Sequence, residues 1–368
     1  MIESNNSSIY FKPLTGVRAI AAFMVYLHHF NPLSDNYSST MFFGFIQEMH
    51  VGVTIFFVLS GFLIAYRYSE MKYFSFRKYM LYRFARIYPL YFILTTLTFI
   101  LYAVLLSQNK SSNFYEYLLN ISFIRGFFDN LKFSGIAQGW SLTVEETFYI
   151  IAPIIFLLAN KRIFYLILLP ILFLFTGIGL VTIFSKIKFY SFFSNYEFMF
   201  NYTFFGRCME FFIGIFLAVF YKQQTNKLSF KYFTYMGLMG MILSIFILSM
   251  LKGNYDYGIR HPLGKVINTL VLPLIGICPF FYGLLRENSV ISKMLSSKLF
   301  LLLGKSSYVF YLIHMGVFSL LLRKFTSNYL LIFISLNILA IILYKYVEEP
   351  VNLYIRNTFF NKTKSSNK

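Results

Sequence analysis

Long apolar stretches alternate with short charged clusters along almost the whole chain. The apolar segments lie at 13–31, 43–66, 87–107, 140–160, 163–184, 205–221, 232–251, 266–285, 299–322 and 329–347. A helix of about 17 to 25 apolar residues crosses the hydrocarbon core of a bilayer. The pattern therefore predicts an all-α polytopic membrane protein with about ten transmembrane helices and no soluble domain. We interpret 1–368 as a single membrane domain with a short polar cytoplasmic tail at 357–368.

An eleventh candidate segment at 114–128 is shorter and is interrupted by Asn120, Arg125 and Asp129. If this segment lies at the interface, both termini fall on one side of the membrane. The loops on that side then hold about twice as many lysines and arginines as the opposite loops, which is typical of the cytoplasmic face. The sequence thus predicts a multi-pass protein of a cell membrane, with both termini in the cytoplasm.

Composition and charge narrow the class of protein further. Apolar residues make up 58% of the chain and charged residues only 13%, whereas soluble domains carry about 25% charged residues. This excludes a water-soluble enzyme, a disulfide-rich extracellular module and a disordered chain. The net charge of +19 lies in short loops, so it indicates membrane orientation and contact with membrane lipids, and we expect no nucleic-acid partner. No spacing typical of a metal site is present, and we expect no metal cofactor.

The first apolar segment carries two candidate functional residues, Arg18 and His29. Eleven residues correspond to three helical turns plus about 20°, so the two side chains share one face about 16 Å apart. A guanidinium binds phosphate and an imidazole exchanges protons near neutral pH. The pair therefore suits a long phosphate-bearing donor that extends along the helix. The alternative is an arginine that reaches the interface and a structural histidine.

Seven motifs follow in order along the chain and together resemble one family. They are Leu-Thr-Gly-Val-Arg-Ala-Ile-Ala-Ala (14–22) ending in His29, Phe-Phe-Val-Leu-Ser-Gly-Phe-Leu-Ile (56–64), Arg-Phe-Ala-Arg-Ile-Tyr-Pro (83–89), Trp-Ser-Leu-Thr-Val-Glu-Glu-Thr-Phe-Tyr (140–149), Arg207-Cys-Met-Glu210 with Gly214, Leu-Gly-Lys-Ser-Ser-Tyr-Val-Phe-Tyr-Leu-Ile-His (303–314) and Glu-Glu-Pro (348–350). This series resembles the acyltransferase-3 family of integral membrane acyltransferases. Two positions depart from the family pattern, because Thr15 and Thr54 stand where the family often has an acidic residue.

The resemblance implies a bacterial enzyme of the cell-surface glycan O-acetyltransferase type. Its donor would be cytoplasmic acetyl-CoA or another acyl-CoA, and its acceptor a hydroxyl of a cell-surface polysaccharide or a lipid-linked glycan. A separate extracytoplasmic transferase could complete the reaction. The alternative function, from a different class, is a transporter or flippase for a lipid-linked or acidic sugar.

Within this resemblance, His29 is the first candidate catalytic residue, either as the base that takes the acceptor proton or as the carrier of the acyl group. Glu145 and Glu146 are candidates to orient the His29 imidazole, and since adjacent helical residues point about 100° apart, only one is expected to face the site. A structural hydrogen bond to a neighbouring helix is their alternative role. Trp140 and Ser141 stand at the start of the same helix, where capping and interfacial anchoring are the default.

The remaining candidates fall into two groups. Arg83 and Arg86 are expected to bind the phosphates of the donor together with Arg18, with anchoring at the cytoplasmic face as the alternative. Other site candidates are Arg207, Glu210, Tyr308 and His314. Arg207 and Glu210 are three residues apart and can pair within their helix. His314, far along an outward-running span, is expected to approach the depth of His29.

Overall fold

The computed structural model describes residues 10–33, 40–69, 74–105, 114–224 and 231–365. Its α-helices are α1 (Lys12–His29), α2 (Met41–Gln47), α3 (Gly52–Tyr68), α4 (Phe76–Leu105), α5 (Phe114–Ile121), α6 (Trp140–Lys161), α7 (Tyr165–Phe184), α8 (Tyr196–Tyr202), α9 (Phe204–Gln223), α10 (Phe233–Leu251), α11 (Pro262–Val266), α12 (Cys278–Arg286), α13 (Val290–Leu295), α14 (Lys298–Ile313), α15 (Val317–Arg323), α16 (Tyr329–Leu343) and α17 (Glu349–Ser365). Two π-helices, Ile267–Ile277 and Tyr344–Glu348, join α11 to α12 and α16 to α17. Short 3-10 turns lie at Glu48–Val51, Arg125–Phe127, Asp129–Leu131, Ala137–Gly139, Phe189–Ser191 and Gly258–Arg260. These ranges contain no strand, which confirms the all-α prediction.

Eight helical segments of the described residues are long and apolar enough to cross a membrane. They are Met41–Tyr68, Phe76–Val104, Ala137–Lys161, Tyr165–Phe184, Tyr196–Gln223, Phe233–Leu251, Pro262–Arg286 and Tyr329–Phe359. The bent pair α14 and α15 is a ninth candidate. The predicted first span corresponds to α1, which is not among these segments because its 18 residues include Lys12, Arg18 and two histidines.

The ninth predicted span, 299–322, is not one straight helix. α14 ends at Ile313, and α15 starts at Val317 after a bend of 87°. Gly316 has φ 71° within the break, a left-handed conformation that glycine adopts without steric cost. The segment predicted as a polar tail is helical in its described part, because α17 continues through 357–365.

The relative direction of α1 and α14 tests whether segment 114–128 crosses the membrane. Its helical part, α5, has eight residues and a length of about 12 Å, too short to cross a bilayer. α1 and α14 run parallel, since Thr15 lies against Gly304 near their starts and His29 stacks on His314 near their ends. An additional crossing at 114–128 would have made them antiparallel. The structure therefore supports the interpretation of 114–128 as a non-spanning segment.

α3 and α9 form the buried centre of the bundle. Their backbones touch at Gly61 and Gly214: a Cβ on Gly61 would lie 2.2 Å from the Phe211 carbonyl oxygen, and a Cβ on Gly214 would lie 2.1 Å from that of Val58. Small residues permit this close approach of two membrane helices. By contrast, α7 and α16 are largely exposed and apolar, as expected for lipid-facing helices. The polar side chains of the candidate site lie on the side of this centre where α3 packs against α1.

Candidate active site

A pocket lies between α1, α3, α4, α6 and α14. Its charged and hydroxyl-bearing lining residues are Arg18, Arg86, Ser141, Glu145, Tyr149, Ser307, Tyr308 and Tyr311, and its apolar ones are Val53, Phe56, Phe57, Ile87 and Leu142. The space between these atoms is about 610 Å³, open solvent included. Five of the site residues predicted from sequence therefore line one pocket: Arg18, Arg86, Ser141, Glu145 and Tyr308. Ser307 and Tyr311, from the motif at 303–314, line it as well.

Three arginines stand in or beside the pocket. Arg18 and Arg86 line it, and the buried Nε of Arg18 has no hydrogen-bond partner among the described residues. Arg83 is buried one turn before Arg86, where its guanidinium lies 5.5 Å from the centroid of the Tyr149 ring. Its Nε likewise lacks a partner in the part of the chain that the structure describes. Buried guanidinium groups with free donors suit an anionic ligand.

Arg86 also has an acidic neighbour. Glu348, the first acid of the Glu-Glu-Pro motif, is 9% exposed and interacts electrostatically with Arg86. Its Oε2 accepts no hydrogen bond within the described ranges. The Glu-Glu-Pro motif thus lies against the pocket, although sequence spacing alone gave it no role.

Of the two adjacent glutamates, Glu145 faces the pocket and Glu146 does not line it. The Oε1 of Glu145 accepts hydrogen bonds from Ser60 Oγ and from the Tyr149 hydroxyl. This agrees with the expectation that only one of the pair faces the site. Both hydrogen bonds to Glu145 come from hydroxyls, and its placement beside His29 stays a prediction.

A polar network closes the pocket at the end where α1 and α14 finish. Ser141 Oγ lies 2.8 Å from the Tyr311 hydroxyl and donates to the Gln138 carbonyl oxygen at 2.9 Å. The Gln138 amide donates to the carbonyl oxygens of Tyr311 at 2.7 Å and Leu312 at 2.9 Å. Trp140 packs beside this network, edge-on to Phe57. Ser141 is therefore joined to α14 and does not cap its own helix, whose N-cap residue is Gly139.

His29 lies at the end of α1, outside the residues that line the pocket. Its ring is exposed and stacks on His314 with 5.5 Å between centroids and 29° between planes. His314 is completely buried at the break after α14, and its Nδ1 lies 2.8 Å from the Tyr311 carbonyl oxygen. The prediction that His314 approaches His29 is confirmed. Tyr311 therefore joins the two regions, because its ring lines the pocket and its backbone contacts His314.

His28 and His50 belong to a neighbouring group. His28 packs edge-on to His29 at 4.7 Å and lies 5.4 Å from His50, and His50 pairs with the buried Glu48 at 3.1 Å. Across the described ranges, no three His, Cys, Asp or Glu side chains are arranged to hold a metal ion.

Arg207 and Glu210 form a buried ion pair away from the pocket. Arg207 Nη2 lies 2.6 Å from Glu210 Oε1, and Nε donates to the same oxygen at 2.8 Å. Thr54 accepts from Arg207 Nη2 at 3.0 Å and donates to the Asn268 oxygen at 3.2 Å. The predicted pairing within the helix is confirmed. Thr54, which stands where the family often has an acid, is one member of this network.

Sequence reasoning missed two buried side chains. Gln138 lies outside the recognised motif, which begins at Trp140. Only its position just before Trp140 could have indicated that Gln138 belongs to the site. Arg125 is completely buried in the turn after α5, where Nη2 donates to the Ile136 carbonyl oxygen. Burial lowers the pKa of the Arg125 guanidinium because it removes the water that would solvate the cation. In the sequence, Arg125 stands out only as an interruption of an apolar run, since a cation outside the recognised motifs carries no other signal.

Comparison with known proteins decides the family. An acyltransferase-domain family matches residues 12–345, nearly the full length of the bundle. The chain belongs to this acyltransferase-3 family. The match covers every motif quoted above except Glu-Glu-Pro, which begins just beyond it at Glu348.

The acyltransferase-3 relatives are distant. The Staphylococcus aureus (strain COL) protein named "Putative O-acetyltransferase SACOL0978" is 24% identical over 375 residues, which cover 93% of this chain and 57% of the relative. The O-acetyltransferase OatA of Staphylococcus aureus (strain NCTC 8325 / PS 47) is 24% identical over 386 residues, which cover 95% of this chain and 58% of the relative. The chain thus spans little more than half the length of these curated relatives. No solved structure matches it.

Proposed function

We propose that this chain is a bacterial membrane O-acetyltransferase that takes an acetyl group from acyl-CoA and transfers it to a hydroxyl of a cell-surface polysaccharide or lipid-linked glycan. One observation carries the proposal: a pocket lined by Arg18, Arg86 and Glu145 is joined through Tyr311 to the His29–His314 pair. The family and the names of the relatives support acyl transfer to oxygen.

The donor occupies the pocket with its phosphates toward the arginines. The free donors of Arg18 and Arg83 and the charge of Arg86 match a phosphate-rich group, which guanidinium binds through paired hydrogen bonds. The thioester extends past Tyr308 and Ser141 toward Tyr311, along the direction in which α1 and α14 run. The acyl carbon then reaches the end of the bundle where His29 is exposed.

The acceptor approaches from the opposite face of the membrane, where His29 is accessible. Under the predicted topology, with both termini cytoplasmic, this is the outer face. A reporter fused after Lys368 should read cytoplasmic. An external signal would place His29 on the cytoplasmic side and remove the route from cytoplasmic donor to outer acceptor.

Purified protein in lipid tests the activity. With acetyl-CoA and glycan isolated from the producing cells, we expect release of CoA and appearance of O-acetyl groups on the glycan. His29→Ala should abolish both while acetyl-CoA binding persists, because the arginines that hold the donor are unchanged. Full turnover in His29→Ala would contradict the role of the imidazole, and translocation of glycan without acetylation would favour a flippase.

A further inference from the structure

The His314 imidazole has its two nitrogens in different states. Its Nδ1 lies 2.8 Å from the Tyr311 carbonyl oxygen. A carbonyl oxygen only accepts, so Nδ1 carries the hydrogen and Nε2 holds the free lone pair. Nε2 is buried and has no hydrogen-bond partner among the described residues. Buried polar atoms are nearly always paired, so this exception indicates a group that meets substrate or water during function.

The position of His314 is fixed by the end of a helix. Where α14 stops, its last carbonyl groups lose their helical partners. The buried Gln138 amide donates to two of them, those of Tyr311 and Leu312. Gln138 thereby holds the same carbonyl oxygen that accepts from His314 Nδ1. It is a positioning residue for the imidazole.

His314 lies between the pocket and the exposed His29. Its ring is 5.6 Å from that of Tyr311, which lines the pocket, and 5.5 Å from that of His29. His29 is therefore open to the acceptor, while His314 is enclosed behind it. The two imidazoles differ in access and are suited to different steps.

We propose that the two imidazoles divide the reaction: His29 carries the acyl group and His314 Nε2 is the base that activates the acceptor. The inference rests on the proposed function. An imidazole that has been acylated on one nitrogen is a poor base, because the acyl carbonyl withdraws its electron density. A transfer through acyl-His29 therefore needs a second base close by, and the free lone pair of His314 supplies it.

In the first step, a His29 nitrogen attacks the thioester carbon, so that a C–N bond forms and the C–S bond breaks. The thiolate takes the proton from the other ring nitrogen and leaves as CoA. The acceptor oxygen then attacks the acyl carbon, its proton passes to His314 Nε2, and the C–N bond breaks. The proton moves from His314 to the released nitrogen of His29, which restores both rings.

His28 is the competing candidate for the second base. Its Nδ1 lies 2.5 Å from the Gln47 carbonyl oxygen, and its ring is 5.4 Å from His50 and 5.0 Å from Tyr257. These contacts place it on the side of α2, away from Tyr311 and the pocket. It is the matched comparison for His314, since both rings pack on His29.

Water can replace the glycan as acceptor in the test, which uses the full chain in lipid nanodiscs with acetyl-CoA labelled in the acetyl group. In wild type, CoA and acetate should appear at equal rates. His314→Asn keeps a donor for the Tyr311 carbonyl but has no base. We expect it to release a burst of about one CoA per chain and then to form acetate about 100-fold or more slowly. The label should accumulate on His29, located by peptide mass spectrometry.

Three comparisons complete the test. Hydroxylamine, which needs no base, should release the label from His314→Asn. Gln138→Leu should slow acetate formation more than the CoA burst, whereas His28→Gln should behave as wild type. Acetyl-CoA affinity and thermal unfolding report whether each variant is folded, and His314→Gln serves if His314→Asn is not.

Several results would overturn the division of labour. They are equal slowing of CoA and acetate in His314→Asn, the absence of label on His29, or the burst appearing in His28→Gln in place of His314→Asn. If wild-type protein releases no CoA even with the isolated glycan present, the proposed function fails and this inference fails with it. CoA release with glycan but no label on His29 would overturn only the inference. Loss of both products in His29→Ala together with normal kinetics in His314→Asn would overturn only the role of His314.

Discussion

Two groups of buried charges in the same bundle have opposite surroundings. Arg207 and Glu210 are joined by short contacts, and Thr54 and the Asn201 carbonyl oxygen accept the remaining Arg207 donors. Around the pocket, Arg18 and Arg83 instead keep an unpartnered Nε within the described residues. In a membrane an enclosed charge is costly unless paired. The two charges of the first group therefore neutralise each other without a ligand, although Glu210 Oε2 has no hydrogen-bond partner among the described residues. The guanidinium groups of the second group keep free donors for a ligand.

The paired charges maintain the fold, and the unpaired ones are available for chemistry. Arg207 connects α9 to α3 at the centre of the bundle, so its pairing holds two packed helices together. Arg18 and Arg86 face empty space on α1 and α4. Substitutions in the two groups should therefore affect different measurements.

The largest effect is expected at the ion pair. Arg207→Met leaves Glu210 buried without a counter-charge, which should cost about 3–5 kcal/mol of stability. Thermal unfolding in detergent and the yield of monodisperse protein measure this loss. The double variant Arg207→Met with Glu210→Met should regain most of the stability, because no unpaired charge remains. A double variant as unstable as the single one would contradict a purely structural pair.

A smaller effect, on binding instead of folding, is expected at the pocket. Arg18→Gln and Arg86→Gln should each weaken acetyl-CoA affinity about 10- to 100-fold, since hydrogen bonds to a charged group contribute about 1.5–3 kcal/mol. The thermal midpoint should remain near that of wild type. The loss should be greater at low salt than at high salt, because ions screen the attraction. If the double variant Arg83→Gln with Arg86→Gln has unchanged acetyl-CoA affinity, both residues serve as membrane anchors and do not bind the donor.

The smallest effect is expected at Ser60. Ser60→Ala removes one of the two hydroxyls that donate to Glu145 Oε1. One such bond contributes about 1 kcal/mol, so we expect about a five-fold loss of turnover with donor affinity preserved. Steady-state kinetics of CoA release measure it, and Ser307→Ala in the same pocket is the matched control. An equal loss in both variants would show that Glu145 has no special role.

The sequence predicted the helices well because each crossing helix needs a long apolar run, and such runs are visible without any tertiary information. Most of the pocket residues could also be predicted from sequence, since motifs in five separate segments contribute to the pocket lining. The bend after Ile313 could not be predicted from sequence, because Leu312, Ile313 and Val317 continue the apolar pattern. The carbonyl groups freed at the bend accept hydrogen bonds from Gln138, which is distant in sequence. The helical path of 357–365 was equally hidden, since its polar composition gives no core-facing pattern.

Residue types alone could not separate the two groups of charges. Arg207 with Glu210, both on α9, and Arg18 on α1 with Glu145 on α6 are the same two residue types. Only the distances show that one pair is closed and that the other pair faces a pocket. His314 is a further example, because its spacing predicted its depth and gave no information about which ring nitrogen would be free.

The parallel course of α1 and α14 has an electrostatic consequence. Both helices finish at the histidine pair, α1 at His29 and α14 at Ile313. Each helix carries a partial negative charge at its carboxyl end, which stabilises a nearby cation by about 0.3–1 kcal/mol. Two macrodipoles therefore converge where a transient imidazolium would form, and the bundle itself supplies part of the counter-charge that an acidic side chain would otherwise provide.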